Sequence, residues 1–260
     1  MPAPILSLLL LISAAFGLWA LSVKFTDLSI ADIAWGPGFV LVAVVSAIAG
    51  PPMTGRDWLV MALVTLWGIR LAAHLYLRRR RLGHEDHRHK ALRESAGASF
   101  SERSLVTVFW LQAGLVWLVS WPVQAEMGGP PVPFGILDGL GLVLFAIGFA
   151  FEAIGDFQLA RFRADPANAG RVLDRGVWAW SRHPNYFGDA TLWWGLFLIC
   201  LAGSGAWWSV LSPLAVTFLL LRVSGVTMME DRIVERRPAY AEYARRTSVF
   251  VPMPPKARMR

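Results

Sequence analysis

Seven stretches of about 20 residues, nearly free of charge, recur along this chain, and each is long enough to cross a bilayer as a helix. They run at residues 4–23, 29–49, 58–77, 104–121, 135–158, 186–203 and 206–227. The chain is therefore expected to be all-α: a polytopic integral membrane protein of seven transmembrane helices, one membrane domain over residues 1–260. Composition agrees, with 55% apolar residues, 13 Trp and only 17% charged residues. Such values exclude a disordered chain and point away from a nucleic-acid partner. The net charge of +7 sits in alternate loops rather than on one patch.

That placement sets an orientation. Loop 78–103 holds Arg78, Arg79, Arg80, Arg81, Arg88, Lys90, Arg93 and Arg103, and loop 159–185 holds Arg161, Arg163, Arg171, Arg175 and Arg182. Loops 50–57 and 122–134 offer only Arg56. Basic loops stay on the cytoplasmic side, so the N-terminus is expected outside and the C-terminus inside. The first 23 residues lack a basic leader and a clean cleavage site, and read as an uncleaved span. The only cysteine, Cys200, lies in an apolar run and has no partner for an internal disulfide. Gly141, Gly148 and Gly155 recur at heptad spacing, a stripe that lets a second helix approach closely.

The polar residues inside or beside the spans collect at the expected cytoplasmic ends. They are Asp32, His74, Tyr76, the pair Glu152 and Asp156, the pair Asn185 and Asp189, Arg222 and Glu230. Members of each pair are four residues apart and share a helix face. Ionisable residues at a bilayer mark function by default, so a polar chamber open to the cytoplasm is expected. Pro184 suits a first helical turn, which would turn the unpaired N–H groups of span 6 toward that chamber. Arg163, Arg171 and Arg182 lie nearby in sequence, a combination suited to phosphate. A soluble nucleotide is the ligand that fits. No Gly-x-Gly-x-x-Gly or phosphate-loop pattern is present. His84, His87 and His89 fit no standard zinc spacing and follow four positive charges, so they read as a solvated basic loop, and no metal is expected.

The order and spacing of three segments carry a resemblance: Gly155-Asp156-Phe157-Gln158-Leu159-Ala160-Arg161-Phe162-Arg163, Asp174-Arg175-Gly176-Val177-Trp178, and Arg182-His183-Pro184-Asn185-Tyr186-Phe187-Gly188-Asp189. Together they resemble the C-terminal domain of the steroid 5-alpha-reductase family, particularly its bacterial members. The likeness covers about the last 110 residues well and the first 130 loosely, so residues 135–255 are expected to form the cofactor-binding part. It implies seven helices around NADPH, with cofactor roles for Asp156, Arg163, Arg171, Asn185, Tyr186, Asp189 and Arg222. Arg182, His183 and Glu230 accompany them, and Glu152 falls where the eukaryotic enzymes carry Asn. His74-x-Tyr76-x-Arg78 resembles the third-helix motif of the family, which ends in an Arg near the adenosine end. The Gln-Glu pair that meets the substrate carbonyl in eukaryotic members is absent, and Asp32 is nominated in its place.

The resemblance implies a bacterial inner-membrane reductase of the carbon–carbon double bond of a lipophilic enone, such as a 3-oxo-delta-4 steroid, arriving from the bilayer. Asp32, in its protonated form, or Tyr76 would donate to the carbonyl oxygen, where charge forms only in the transition state. A second family shares part of the pattern. Isoprenylcysteine and phospholipid methyltransferases, which use S-adenosylmethionine, also carry Arg-His-Pro-x-Tyr-x-Gly. Their tail resembles Glu230-Asp231, Tyr240-Ala241-Glu242-Tyr243 and Val251-Pro252. The Asp156 to Arg163 stretch and Asn185 to Asp189 favour the reductase. A non-catalytic lipid binder would need neither the arginines nor the carboxylates.

Overall fold

The computed structural model describes residues 1–82, 100–127, 129–223 and 238–255. Among them there is no strand beyond one parallel bridge between Ser181 and Ser248. The helices are α1 (Ala3–Phe25), α2 (Ser29–Ala49), α3 (Gly55–Leu82), α4 (Phe100–Ser104), α5 (Leu111–Val119), α6 (Trp121–Glu126), α7 (Ile136–Ala164), α8 (Pro184–Ser204), α9 (Leu211–Phe218) and α10 (Pro238–Arg246). Five of them, α1, α2, α3, α7 and α8, are long and apolar enough to cross a membrane.

The fourth predicted stretch, and the seventh as far as Val223, are helical but broken. A π-helical segment, Leu105–Trp110, joins α4 to α5. Another, Leu219–Val223, follows α9, and a 3-10 turn, Trp207–Val210, precedes it. Each break lies beside a hydroxyl that bonds back one turn. Thr107 Oγ1 donates to the Arg103 carbonyl at 2.8 Å, and Thr217 Oγ1 to the Pro213 carbonyl at 2.7 Å. Such bonds compete with the helical ladder, but the same bond from Ser13 to Leu9 and from Thr191 to Phe187 leaves α1 and α8 unbroken, so they do not by themselves account for the π segments.

The chain forms two compact units. The first comprises Met1–Phe134 with Cys200–Ser209. Here α2 lies directly on α3: a Cβ added at Gly36 would sit 2.2 Å from the Gly68 carbonyl oxygen. Only glycine at both positions permits that approach. Phe39 packs edge-on between Trp35 and Trp67, at centroid distances of 5.4 and 5.3 Å. Arg56, expected in the loop before the third span, is buried at the start of α3. It donates to the Val132 and Pro133 carbonyls, both at 3.0 Å, and stands 3.9 Å from the Glu126 carboxylate. A charge this deep persists because it is bonded on several sides. An apolar cavity of about 280 Å³ opens among α1, α2 and the Phe109–Val116 stretch, with Trp35, Leu41 and Phe109 on its walls and Gln112 as its polar side chain.

The second unit comprises Gly135–Ile199 with Val210–Arg260. The glycine stripe of α7 meets α8 as its spacing predicts. A Cβ at Gly148 would lie 2.5 Å from the Gly188 carbonyl oxygen, and one at Gly141 would lie 2.6 Å from that of Gly195. The connection from α7 to α8 turns at Gly176, whose φ of +62° favours glycine. It is tied to α7 by Gln158, which accepts from the Val177 N–H at 3.1 Å. Trp178 adds a second tie, donating to the Gly155 carbonyl at 3.0 Å.

Candidate functional site

In the second unit, two stretches far apart in sequence meet where α8 begins. Asn185, in its first turn, donates from Nδ2 to the Asp156 carboxylate of α7 at 3.1 Å. The close glycine contact makes this possible, since Gly155 leaves room for the Asn185 backbone. Asp156 and Glu152 are both buried on one face of α7. Arg163 lies seven residues beyond Asp156, which puts it about 10 Å further along the same face, exposed at the end of α7. On α8, Asp189 follows Asn185 by one turn and is half-buried.

The residues leading into α8 are held by the C-terminal segment. His183 is buried and its ring stacks on Tyr186, with centroids 5.6 Å apart and planes 11° apart. Its N–H donates to Ser181 Oγ at 3.1 Å, and the Ser181 hydroxyl donates to the Phe250 carbonyl at 2.8 Å. The Arg182 N–H donates to the Ser248 carbonyl at 2.8 Å. The Tyr243 hydroxyl donates to the Trp178 carbonyl at 2.6 Å, and Arg246 pairs with Asp174. Burial pushes the Tyr243 phenol well above the usual tyrosine range; Tyr240 adds to that, and Arg182 and Arg246 oppose it. The phenol therefore remains a donor at ordinary pH. Tyr243, Ser181 and Ser248 were not nominated as site residues. The Tyr-x-x-Tyr pattern was their visible trace, but its contact with Trp178 spans 65 residues.

Arg171 is exposed in the connection between α7 and α8, and Arg222 is exposed in the π segment after α9. Glu230 lies outside the described residues, as do His84, His87 and His89. This unit holds exposed cationic side chains, Arg163, Arg171 and Arg222, and a part-buried amide–carboxylate pair, residue types chemically suited to a phosphorylated, amide-bearing ligand. Phosphate oxygens take charge-assisted bonds from guanidinium groups. The positive end of α8 favours the same charge.

In the first unit, Asp32 stands in the first turn of α2, half-buried. It lines a small open pocket with Ser29, Ile33, Leu75, Arg78, Arg79 and Leu82. Tyr76 is not on that lining; it is exposed, with the Arg80 guanidinium 5.9 Å from its ring centroid. The pocket is braced by Asp27, another residue the sequence did not single out. Its carboxylate accepts from the Ser29 N–H at 2.9 Å and from Arg79 Nε at 2.8 Å. Burial works to raise the Asp27 pKa, but the Ser29 hydrogen bonds and the Arg79 charge outweigh it and hold the carboxyl below the ordinary range.

Long apolar helices with buried and clustered polar residues define an all-helical integral membrane protein. Residues 18–247 match the family described as "Protein of unknown function (DUF1295)", and the chain belongs to that family. The family includes steroid 5-alpha-reductase-like membrane proteins. The chain is also similar to an uncharacterized protein of Schizosaccharomyces pombe, at 26% identity across 94% of this chain and 78% of the relative. No solved structure matches.

Proposed function

We propose that the protein is a membrane-embedded, NADPH-dependent reductase of the carbon–carbon double bond of a lipophilic enone. The observation that carries this reading is the Asn185–Asp156 hydrogen bond. It joins two separate segments whose order and spacing resemble the steroid 5-alpha-reductase family. In this reading Arg163, Arg171 and Arg182 hold the phosphates, and Arg78 and Arg222 contribute further positive charge. Asn185, Tyr186 and Asp189 hold the nicotinamide half, with Asp156, Glu152 and His183 fixing their orientation. Bound NADPH would supply the hydride; the protein orients the reactants and excludes water. The substrate in this reading is a flat lipid that enters from the bilayer. Asp32 is proposed to face the carbonyl oxygen as charge develops there, and Tyr76 is the second candidate. The chain is proposed to cross the membrane seven times, with its C-terminus and its active site on the cytoplasmic side of a bacterial inner membrane.

The alternative is an S-adenosylmethionine-dependent methyltransferase. It is favoured by the packing of Tyr243, Ser248 and Phe250 on the Trp178–Arg182 loop, since this tail is the part that resembles those enzymes. The decisive assay is NADPH oxidation with a 3-oxo-delta-4 steroid, with product mass recorded. A product two hydrogens heavier is expected. Asp32→Leu should lower turnover about 100-fold, with Asp32→Asn retaining part of it. Normal turnover by Asp32→Leu would assign Asp32 to structure alone. Methyl transfer from S-adenosylmethionine without enone reduction would select the alternative.

A further inference from the structure

The segment after α10 turns alternate residues inward and outward. Ser248, Phe250 and Pro252 are partly covered, and Phe250 packs on Phe187 of α8 at a centroid distance of 5.9 Å. The outward set is apolar: Val249, Val251 and Met253 are 39%, 51% and 56% exposed, and Trp180 beside them is 49% exposed. The Met253 N–H donates to the Trp180 carbonyl at 2.9 Å, so the end of this outward row lies beside Trp180. The strip is held rigidly, because Ser181 and Arg182 both bond to the same segment. A fixed row of apolar side chains turned outward marks a surface meant to be covered.

Two observations identify what covers it. Trp180 lies four residues before Pro184, where a helix long and apolar enough to cross a membrane begins. Tryptophan collects at that depth of a bilayer, where one side is apolar and the other wet. Charge points the same way. From Pro238 to Arg260 the chain carries five basic residues, Arg245, Arg246, Lys256, Arg258 and Arg260, against one acid, Glu242. Arg175 and Arg245 are exposed, while Arg246 is paired with Asp174. An apolar strip in a segment whose sequence carries an excess of cations is the pattern of a segment that lies in the interface of an anionic leaflet.

We infer that Trp180, Val249, Val251 and Met253 form a membrane-surface anchor that docks the C-terminal segment onto a lipid surface rich in anionic headgroups. Because this segment bonds directly to Ser181 and Arg182, docking also steadies the entry to α8. The inference is independent of which reaction the protein performs.

The test uses the full chain in lipid nanodiscs. Val251→Cys is labelled with an environment-sensitive fluorophore, and Glu242→Cys, on an exposed position of α10, is the comparison. Cys200 is buried, so the chain without an added cysteine measures background labelling. The label at 251 is expected to emit at shorter wavelength than that at 242. Lipids spin-labelled near the headgroup should quench it several-fold more strongly, and more strongly still when phosphatidylglycerol replaces part of the phosphatidylcholine. Met253→Cys should repeat the result. Equal quenching of positions 251 and 242 by aqueous iodide would overturn the anchor. A shifted emission insensitive to spin-labelled lipid would show that a second protein copy covers the strip, and would overturn it as well. Quenching that ignores lipid charge would contradict the anionic preference.

Discussion

Asp27 shows how a single exposed-looking carboxylate can fix a local site. It bonds to the Ser29 N–H at the start of α2 and to Arg79 on α3, and its pKa is lowered. A carboxyl with a depressed folded-state pKa contributes stability above its unfolded pKa and loses it as the pH falls through the folded value. Asp27→Asn should therefore be less stable than the parent chain at neutral pH. The difference should close as the pH drops below about 4, the ordinary range of Asp. Thermal unfolding in detergent from pH 7 to 3 measures it, and a gap that stays constant would assign the effect to something other than charge. The sequence did not reveal this brace, because 52 residues separate Asp27 from Arg79. The same limit hid Arg56, which read as a loop charge but is bonded to carbonyls 76 and 77 residues away. By contrast, Asp156 and Asn185, singled out on separate segments of the sequence, meet in one hydrogen bond.

Among the elements, the glycine stripe of α7 was readable from its heptad period, and its partner surface was not. The structure supplies it: a Cβ at Gly188 would lie 2.4 Å from the Glu152 nitrogen and 2.5 Å from the Gly148 carbonyl oxygen. Both are backbone atoms and have little room to yield. Gly188→Ala should therefore separate α7 from α8 and cost about 1–3 kcal/mol, the range for overpacking a tight interior. Gly114→Ala is the comparison, since nothing lies within 4 Å of its added Cβ. There alanine should be neutral or stabilising by up to about 1 kcal/mol. Unfolding midpoints of the two variants test the pair, and equal stability would deny the contact its importance. The broken helices around Leu105–Trp110 and Leu219–Val223 escaped the sequence reading for a different reason. Apolar length specifies a helical stretch, and hydropathy does not distinguish an α-helical ladder from a π-helical one.

For the molecule as a whole, the all-helical membrane class followed from the apolar stretches, while the number of crossings and their direction rest on charge asymmetry. A reporter fused after Arg260 should be active only on the cytoplasmic side, and a periplasmic result would reverse the proposed orientation. The central claim, that the motif residues of the second unit hold NADPH, is tested most directly by equilibrium binding to the detergent-solubilised chain. NADPH should bind and S-adenosylmethionine should not. Arg163→Ala, correctly folded, should weaken NADPH by about 1.5–3 kcal/mol, roughly 10- to 150-fold. Binding of S-adenosylmethionine in place of NADPH, or NADPH affinity unchanged by Arg163→Ala, would contradict the claim.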